Sequence, residues 1–296
     1  MRVLVAGWFS FPQMGATAGD LLAKDVVCQW LREADRPYDV ALATPFPGGI
    51  HWETADPSNY SDVVFVCGPF GNGWPIPEFL ARFAGRRLIG VNVSMLQPLD
   101  EWNPFDLLLE RDSSEAARPE LALLSHEPFV PVVGLVLVHD QLEYEEGCHK
   151  AANLALKRLT ETRPMAVVPV DTRLDISPTG LRTPAEVESV IARLNVVLTT
   201  RLHGLVLALK NGVPAVAIDP VAGGAKVLRQ ARTLGWPAVF VSDASDAMLA
   251  AAFDWALTDE ARAAARQCRD RAVATLSETR DRFLAAVTQD ARVEQM

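Results

Sequence analysis

No apolar run in the sequence approaches the roughly 20 residues that a membrane-spanning helix needs, so no such span is expected. The opening seven residues, Met1 to Gly7, have an apolar centre too short for a signal peptide and read as a first strand. Positive charge is scarce. Against 37 Asp and Glu stand 28 Lys and Arg, a net charge of -9. A nucleic-acid surface needs a basic face, so that class of partner is excluded. Any anion site has to be local, built against the overall field. Cysteine is also rare, and Cys28, Cys67, Cys148 and Cys268 lie far apart with no C-x-x-C spacing. Buried free thiols of a cytoplasmic protein are the plain reading. His51, His126, His139 and His149 have no metal-ligand spacing with one another, with cysteine or with a carboxylate. The glycines of the first loop, Gly15 and Gly19, do not make G-x-G-x-x-G, so a dinucleotide cofactor has only weak support.

What the sequence has is alternation. Strands are expected at Arg2–Ala6, Tyr38–Ala43, Asp62–Cys67, Arg87–Val93 and Asp106–Glu110, with helices after the first and third. A polar, Pro-bearing break at Ser125–Pro131 divides the chain into residues 1–128 and 129–296. The alternation then restarts. Strands are expected at Val132–Val138 and Met165–Val170, and helices at Glu143–Thr160 and Thr183–Leu194, the latter with Thr183-Pro184 and Glu186 as its start signal. A further strand is expected at Ala238–Val241, a helix at Ala247–Leu257 and an Ala/Arg-rich helical tail over 259–290. This pattern predicts an α/β protein of two Rossmann-like domains with parallel sheets, facing across a cleft, with active residues at the carboxyl ends of the strands. Gly68 to Trp74, Arg111 and the Gly15 to Asp20 loop all fall on that edge in the first domain.

Asn195 to Lys226 is the densest stretch. Val196, Val197 and Leu198 suit a buried strand. Thr199 and Thr200 read as helix-start residues, with Arg201, Leu202 and His203 in the first turn of a helix that ends at Asn211-Gly212. A second strand, Val213–Ile218, leads to Gly223-Gly224 and a helix with Lys226 in its first turn. Two helix N-termini, each with a cation, predict an anion site, with phosphate the leading ligand. The structural alternatives are an Arg201 that pairs with a carboxylate and a His203 satisfied in the core. Trp8, Phe9, Phe11, Trp52 and Trp74 lie in loops near strand ends, where rings could meet sugar C–H faces or simply fill the domain's own rim. Asp171 and Asp219 close strands and either face the cleft or cap turns. His139-Asp140, at a strand's carboxyl end, could line the cleft but reads first as a partly exposed loop pair.

The run from Val196 to Lys226 resembles the signature of the polysaccharide pyruvyl transferase family: an apolar strand, R-L-H, a helix, G-x-P, a second strand and a downstream lysine. Gly19-Asp20, the glycine-rich turn at Cys67 to Gly73 and Arg111-Asp112-Ser113-Ser114 resemble further family features, in the family's order. Thr17-Ala18 stands where the family has asparagine before Gly-Asp, and Pro69-Phe70 interrupts the glycine turn.

The resemblance implies two domains as in GT-B glycosyltransferases, the first on the acceptor side and the second on the phosphoenolpyruvate side. It implies transfer of the enolpyruvyl group to two sugar hydroxyls as a ketal, with loss of phosphate and no cofactor. It places Arg201, Leu202, Lys226 and Arg111 around the donor, and Gly19, Gly68, Gly71 and Trp74 in substrate binding. His203 takes a proton role and Asp20 is the second candidate, since an aspartate there is also a plain capping residue. The alternatives are a glycosyltransferase using a nucleotide sugar and a non-catalytic relative that binds an anion. The expected partners are a small-molecule donor and a saccharide. On fold analogy the tail crosses back to the first domain, the other option being contact between copies of the chain in a homo-oligomer.

Overall fold

The computed structural model describes residues 1–139, 148–241 and 244–293, with side chains described to residue 288. The chain divides into two units, Met1–Pro128 and Phe129–Met296.

The first unit runs β1 (Arg2–Gly7), α1 (Ala18–Glu33), β2 (Tyr38–Val40), β3 (Tyr60–Val66), β4 (Pro69–Phe70), α2 (Ile76–Arg82), β5 (Arg87–Val91), β6 (Ser94–Met95) and β7 (Leu107–Leu109). Its main sheet has the order β2-β1-β3-β5-β7, and every pair is parallel. Both faces are covered, which is why β1 and β3 read as continuous apolar runs. Val3, Val5, Val64 and Val66 pack with Ala23 and Val27 of α1. Leu4, Val63 and Phe65 meet Phe11, Trp52, Phe70 and Phe79 on the other face.

That aromatic packing decides between the two alternatives read from the sequence. Phe9, Phe11 and Trp52 are buried, so they fill the domain's own core. Pro69-Phe70 interrupts the glycine turn for a structural reason. The two residues form β4, paired in parallel with β6, and send Phe70 into the core against Phe65 at a ring separation of 4.7 Å.

The second unit runs β8 (Val132–Val136), α3 (His149–Thr162), β9 (Ala166–Pro169), α4 (Pro184–Ile191), β10 (Val196–Thr199), α5 (Leu202–Lys210), β11 (Ala215–Asp219), α6 (Lys226–Leu234), β12 (Val239–Val241), α7 (Asp246–Ala256) and α8 (Asp259–Val293). The expected start of the third helix, at Glu143, lies outside the described residues, as does Asp140. The sheet order is β12-β11-β10-β8-β9, again all parallel. Side chains alternate along β10. Val196 and Leu198 pack with Leu156 of α3 and Phe253 of α7. Val197 faces Leu205 of α5 and Ala265 of α8. Helix α4 begins with the expected reciprocal cap, Thr183 with Glu186. Helix α8 buries Ala261, Ala265 and Cys268 in this unit's core, and its later apolar row, from Val273 to Val287, is exposed. No described helix is long and apolar enough to cross a membrane.

Counted from its own first strand, each unit has the doubly wound order 2-1-3-4-5. The chain direction reverses between the first and third strands, and the crevice beyond their carboxyl ends is where such sheets bind ligands. In the first unit this point lies between β1 and β3. In the second it lies between β8 and β10.

Candidate functional site

In the second unit three neighbouring strand ends converge. Arg201 follows β10, His139 follows β8 and Asp171 follows β9. The Arg201 guanidinium donates from Nη1 to Asp171 Oδ1 at 2.7 Å and to Thr172 Oγ1 at 3.2 Å. His139 Nε2 lies 2.7 Å from Asp171 Oδ2. The Arg173 backbone N–H also donates to Asp171 Oδ1, at 2.9 Å. The Asp171 side chain is 6% exposed and that of Arg201 12%. Burial alone would raise the Asp171 pKa. The Arg173 N–H, the His139 hydrogen bond and the Arg201 charge together outweigh it and hold the carboxyl below its ordinary value. One of the alternatives read from the sequence is therefore the one observed: Arg201 pairs with a carboxylate. Asp171 does more than cap a turn, and His139 is an oriented side chain.

The start of α5 differs from the expectation. Arg201, not a threonine, is the N-cap, and its side chain makes no capping bond to the helix. The two threonines are buried and serve the neighbouring strand end. Thr199 Oγ1 donates to the Val136 carbonyl at 2.9 Å and accepts the Arg201 N–H at 2.9 Å. Thr200 Oγ1 donates to Asn153 Oδ1 and accepts the Val138 N–H. Asn153 in turn donates to the Val138 carbonyl. These bonds set the chain just before His139. With its cap position filled by Arg201, α5 presents its first-turn N–H groups uncapped, the arrangement that suits an anion. Leu202 is partly buried against the core, and His203 is exposed on the first turn.

Gly204 permits this geometry. A Cβ there would lie 2.2 Å from Thr199 Oγ1 and 2.9 Å from Thr199 Cβ. Because Thr199 is fixed by bonds to two segments, Gly204→Ala is expected to destabilise the fold by about 1–3 kcal/mol, read as a lowered urea midpoint with an unchanged slope.

The second helix end is not an open anion site. Asp219 is fully buried. Its Oδ2 accepts from the Ala225 and Leu228 N–H groups at 2.7 and 2.8 Å, and its Oδ1 from Val221 N–H at 3.1 Å. The carboxylate from the end of β11 thus neutralises the N-terminus of α6, and of the two expected helix-end sites that of α5 is the one left uncapped among the described residues. Gly223 and Gly224, at φ +73° and +85°, let the loop fold back over this aspartate. Lys226 is half-buried in the first turn.

In the first unit an open pocket of about 450 Å³ lies at the switch point, lined by Trp8, Gly15, Thr17, Asp20, Gly68 and Arg111 among others. Gly68 has φ +74°, and a Cβ on it would lie 2.0 Å from Trp8, whose indole N–H donates to the Pro69 carbonyl at 2.9 Å. Arg111 is half-buried, held by Ser94 Oγ and by Asp112 Oδ2 at 3.0 Å. The Ser94 hydroxyl bond, reinforced by Arg111, lowers the Asp112 pKa against a smaller opposing effect of burial. Asp20 completes a reciprocal cap of α1, its Oδ2 accepting from Thr17 N and Oγ1, both at 2.7 Å. Gly19 sits in that same first turn. Gly71 lies against Leu96 and Gln97, and Trp74 is 71% exposed. Neither lines the pocket. Burial, opposed in part by an Asn92 hydrogen bond, pushes the Cys67 thiol up to about 12. That makes it a poor nucleophile.

The polysaccharide pyruvyl transferase family model matches residues 142–220. Among curated proteins, none matches the chain. Among solved structures, the chain is similar to Spinosyn Forosaminyltransferase SpnP, with a TM-score of 0.34 and 14% identity over 92% of this chain and 94% of that one. It is likewise similar to the glycotransferase of kitacinnamycin, with a TM-score of 0.33 and 11% identity over 91% and 93%. The segment that carries Asp171, Arg201-Leu202-His203 and Gly212-x-Pro214 is thus the part of the chain that is similar to a transferase family, the polysaccharide pyruvyl transferases.

Proposed function

We propose that the chain is a pyruvyl transferase. It moves the enolpyruvyl group of phosphoenolpyruvate onto two hydroxyls of a saccharide or glycan precursor as a ketal and releases phosphate, in the cytoplasm and without a cofactor. The observation that carries this reading is the family match over the segment in which Arg201 heads an uncapped helix. Phosphate and carboxylate are both anions that a guanidinium and first-turn N–H groups bind well. Arg201, the α5 N-terminus, Leu202 and Lys226 make up the donor site in this reading, with Arg111 as a further anion-binding cation. His203, exposed on the first turn of α5, delivers a proton to the methylene carbon. The first unit's pocket, with Trp8, Gly68 and Gly19, is assigned to the acceptor, with Gly71 and Trp74 beyond its lining as further acceptor contacts, and Asp20, which lines the pocket, stays the second candidate for a proton role.

A thermal-shift screen tests the donor. Stabilisation by phosphoenolpyruvate and not by UDP- or GDP-sugars supports the reading, and the reverse pattern replaces it with a nucleotide-sugar glycosyltransferase. Stabilisation without turnover on any acceptor would mark an anion-binding relative. Because His203 is exposed, His203→Ala is expected to leave the unfolding transition unchanged while lowering phosphate release about a hundredfold or more. Turnover near that of the unsubstituted chain would remove His203 from the site.

A further inference from the structure

The proposed reaction needs a second proton carrier, and Asp20 is poorly placed to be it. Its Oδ2 already accepts twice from Thr17 in the cap of α1. The second unit has a better-prepared group at its own switch point. His139 follows β8, the strand paired with β10, so it stands beside the strand end that carries Arg201. Its ring is 46% exposed, yet one face of it is tied down through Nε2 to a buried carboxylate. Asp171 accepts from Arg201 and from the Arg173 N–H at the same time. An ionised carboxylate can only accept, so the shared proton belongs to the imidazole at Nε2. The lone pair is then on Nδ1, and no side chain of the described residues other than Asp171 bonds to the ring. A histidine held in one tautomer by an aspartate, with its other nitrogen unbonded among the described residues, is the arrangement of a general base.

We infer that His139 is the base that takes the proton from the acceptor hydroxyl, with Asp171 as its positioning residue. The inference rests on the pyruvyl-transfer reading. In the step, the hydroxyl O–H bond breaks and its electron pair stays on oxygen. That oxygen forms the C–O bond to the phosphate-bearing carbon of the donor, already protonated at its methylene carbon, and the proton goes to Nδ1. The imidazolium so formed faces the Asp171 carboxylate, which stabilises it. Arg201 shares that carboxylate, so donor binding and base orientation are coupled through one side chain.

The test uses the full chain, labelled with ¹⁵N in histidine, and long-range proton–nitrogen spectra assigned with His139→Gln. The expected result is a single Nε2-protonated form of His139, a shift of its Nδ1 signal on adding saturating phosphoenolpyruvate, and mixed tautomers in Asp171→Asn. Phosphate release with phosphoenolpyruvate and a panel of methyl pyranosides bearing free vicinal and 4,6-diols is the second readout. There His139→Gln is expected to lose about a hundredfold or more while keeping its thermal stabilisation by phosphoenolpyruvate. Added imidazole is expected to restore part of the rate in His139→Ala. An Nδ1 signal that phosphoenolpyruvate does not move, or His139→Gln turning over within about twofold of the unsubstituted chain, overturns the assignment and leaves the pyruvyl reading standing. No stabilisation of the unsubstituted chain by phosphoenolpyruvate overturns the reading itself, and His139 as its base with it. The spectrum decides even where no glycoside of the panel accepts.

Discussion

Arg201→Ala is expected to lower phosphate release about a hundredfold or more, and to destabilise the fold at the same time. The first effect follows from the loss of a guanidinium at the head of α5, where the proposed donor brings a phosphate and a carboxylate. The second follows from what is left behind. Asp171 is buried, and among the described residues Arg201 is the one arginine or lysine in a salt bridge with it, with His139 able to add a second pair only when protonated. Removing one partner of a buried pair typically costs about 3–5 kcal/mol, because the remaining charge has lost its compensation.

Two measurements separate these effects. Asp171→Asn combined with Arg201→Met should recover most of the stability, since neither charge remains, while turnover stays low. Acid titration of stability gives the other. The folded-state pKa of Asp171 is depressed, so its contribution is present above the ordinary aspartate value of about 3.9 and is lost as pH falls through the lower folded value. In Asp171→Asn this part of the acid limb should vanish. An Arg201→Ala chain with unaltered denaturation and unaltered turnover would remove Arg201 from both roles.

Asp219→Ala is expected to cost about 3–5 kcal/mol, judged from the loss of charged hydrogen bonds to backbone donors. The side chain is fully buried and accepts three backbone N–H groups, two of them in the first turns of α6. Without it those donors face the end of β11 unpaired, and the loop through Gly223 and Gly224 loses the group it folds around. Asp219→Asn should fall between, since its amide keeps one acceptor oxygen and brings an N–H₂ toward other donors. Equilibrium urea unfolding reads both, and an Asp219→Ala chain within about 0.5 kcal/mol of the unsubstituted protein, the usual range for an inconsequential surface change, would contradict this role. The substitution also bears on anions. The carboxylate at the head of α6 repels phosphate from that helix end, so its removal is not expected to weaken phosphoenolpyruvate binding in whatever fraction remains folded.

Much of the site could be read in advance, and the reason is local. Val196 to Leu198 as a strand, the helix that ends at Asn211-Gly212, and the reciprocal cap of Thr183 with Glu186 all depend on neighbours within a few residues. Backbone periodicity and hydrogen-bonding reach decide such features. The placing of Arg111, Gly68 and Asp20 on one sheet edge follows from the parallel alternation alone, and all three line one pocket. The features left undecided or misplaced are those whose partners are distant in sequence. Phe9, Phe11 and Trp52 are loop aromatics by position and core residues by packing. Thr199 and Thr200 have the composition of a helix cap, but β8 and α3 offer them better partners.

The sequence by itself determined the two-part α/β plan, the family resemblance and the expectation of an anion site headed by Arg201, because each rests on the order and spacing of residues along the chain. Only the tertiary structure decided which charges meet. The sheet order puts β8 between β10 and β9, and so brings Asp171 within reach of both Arg201, 30 positions on, and His139, 32 positions back. It also lets Asp219 fill the second helix end that the sequence left open for phosphate. Strand order is set by how whole faces bury against helices, and no local pattern of residues encodes it.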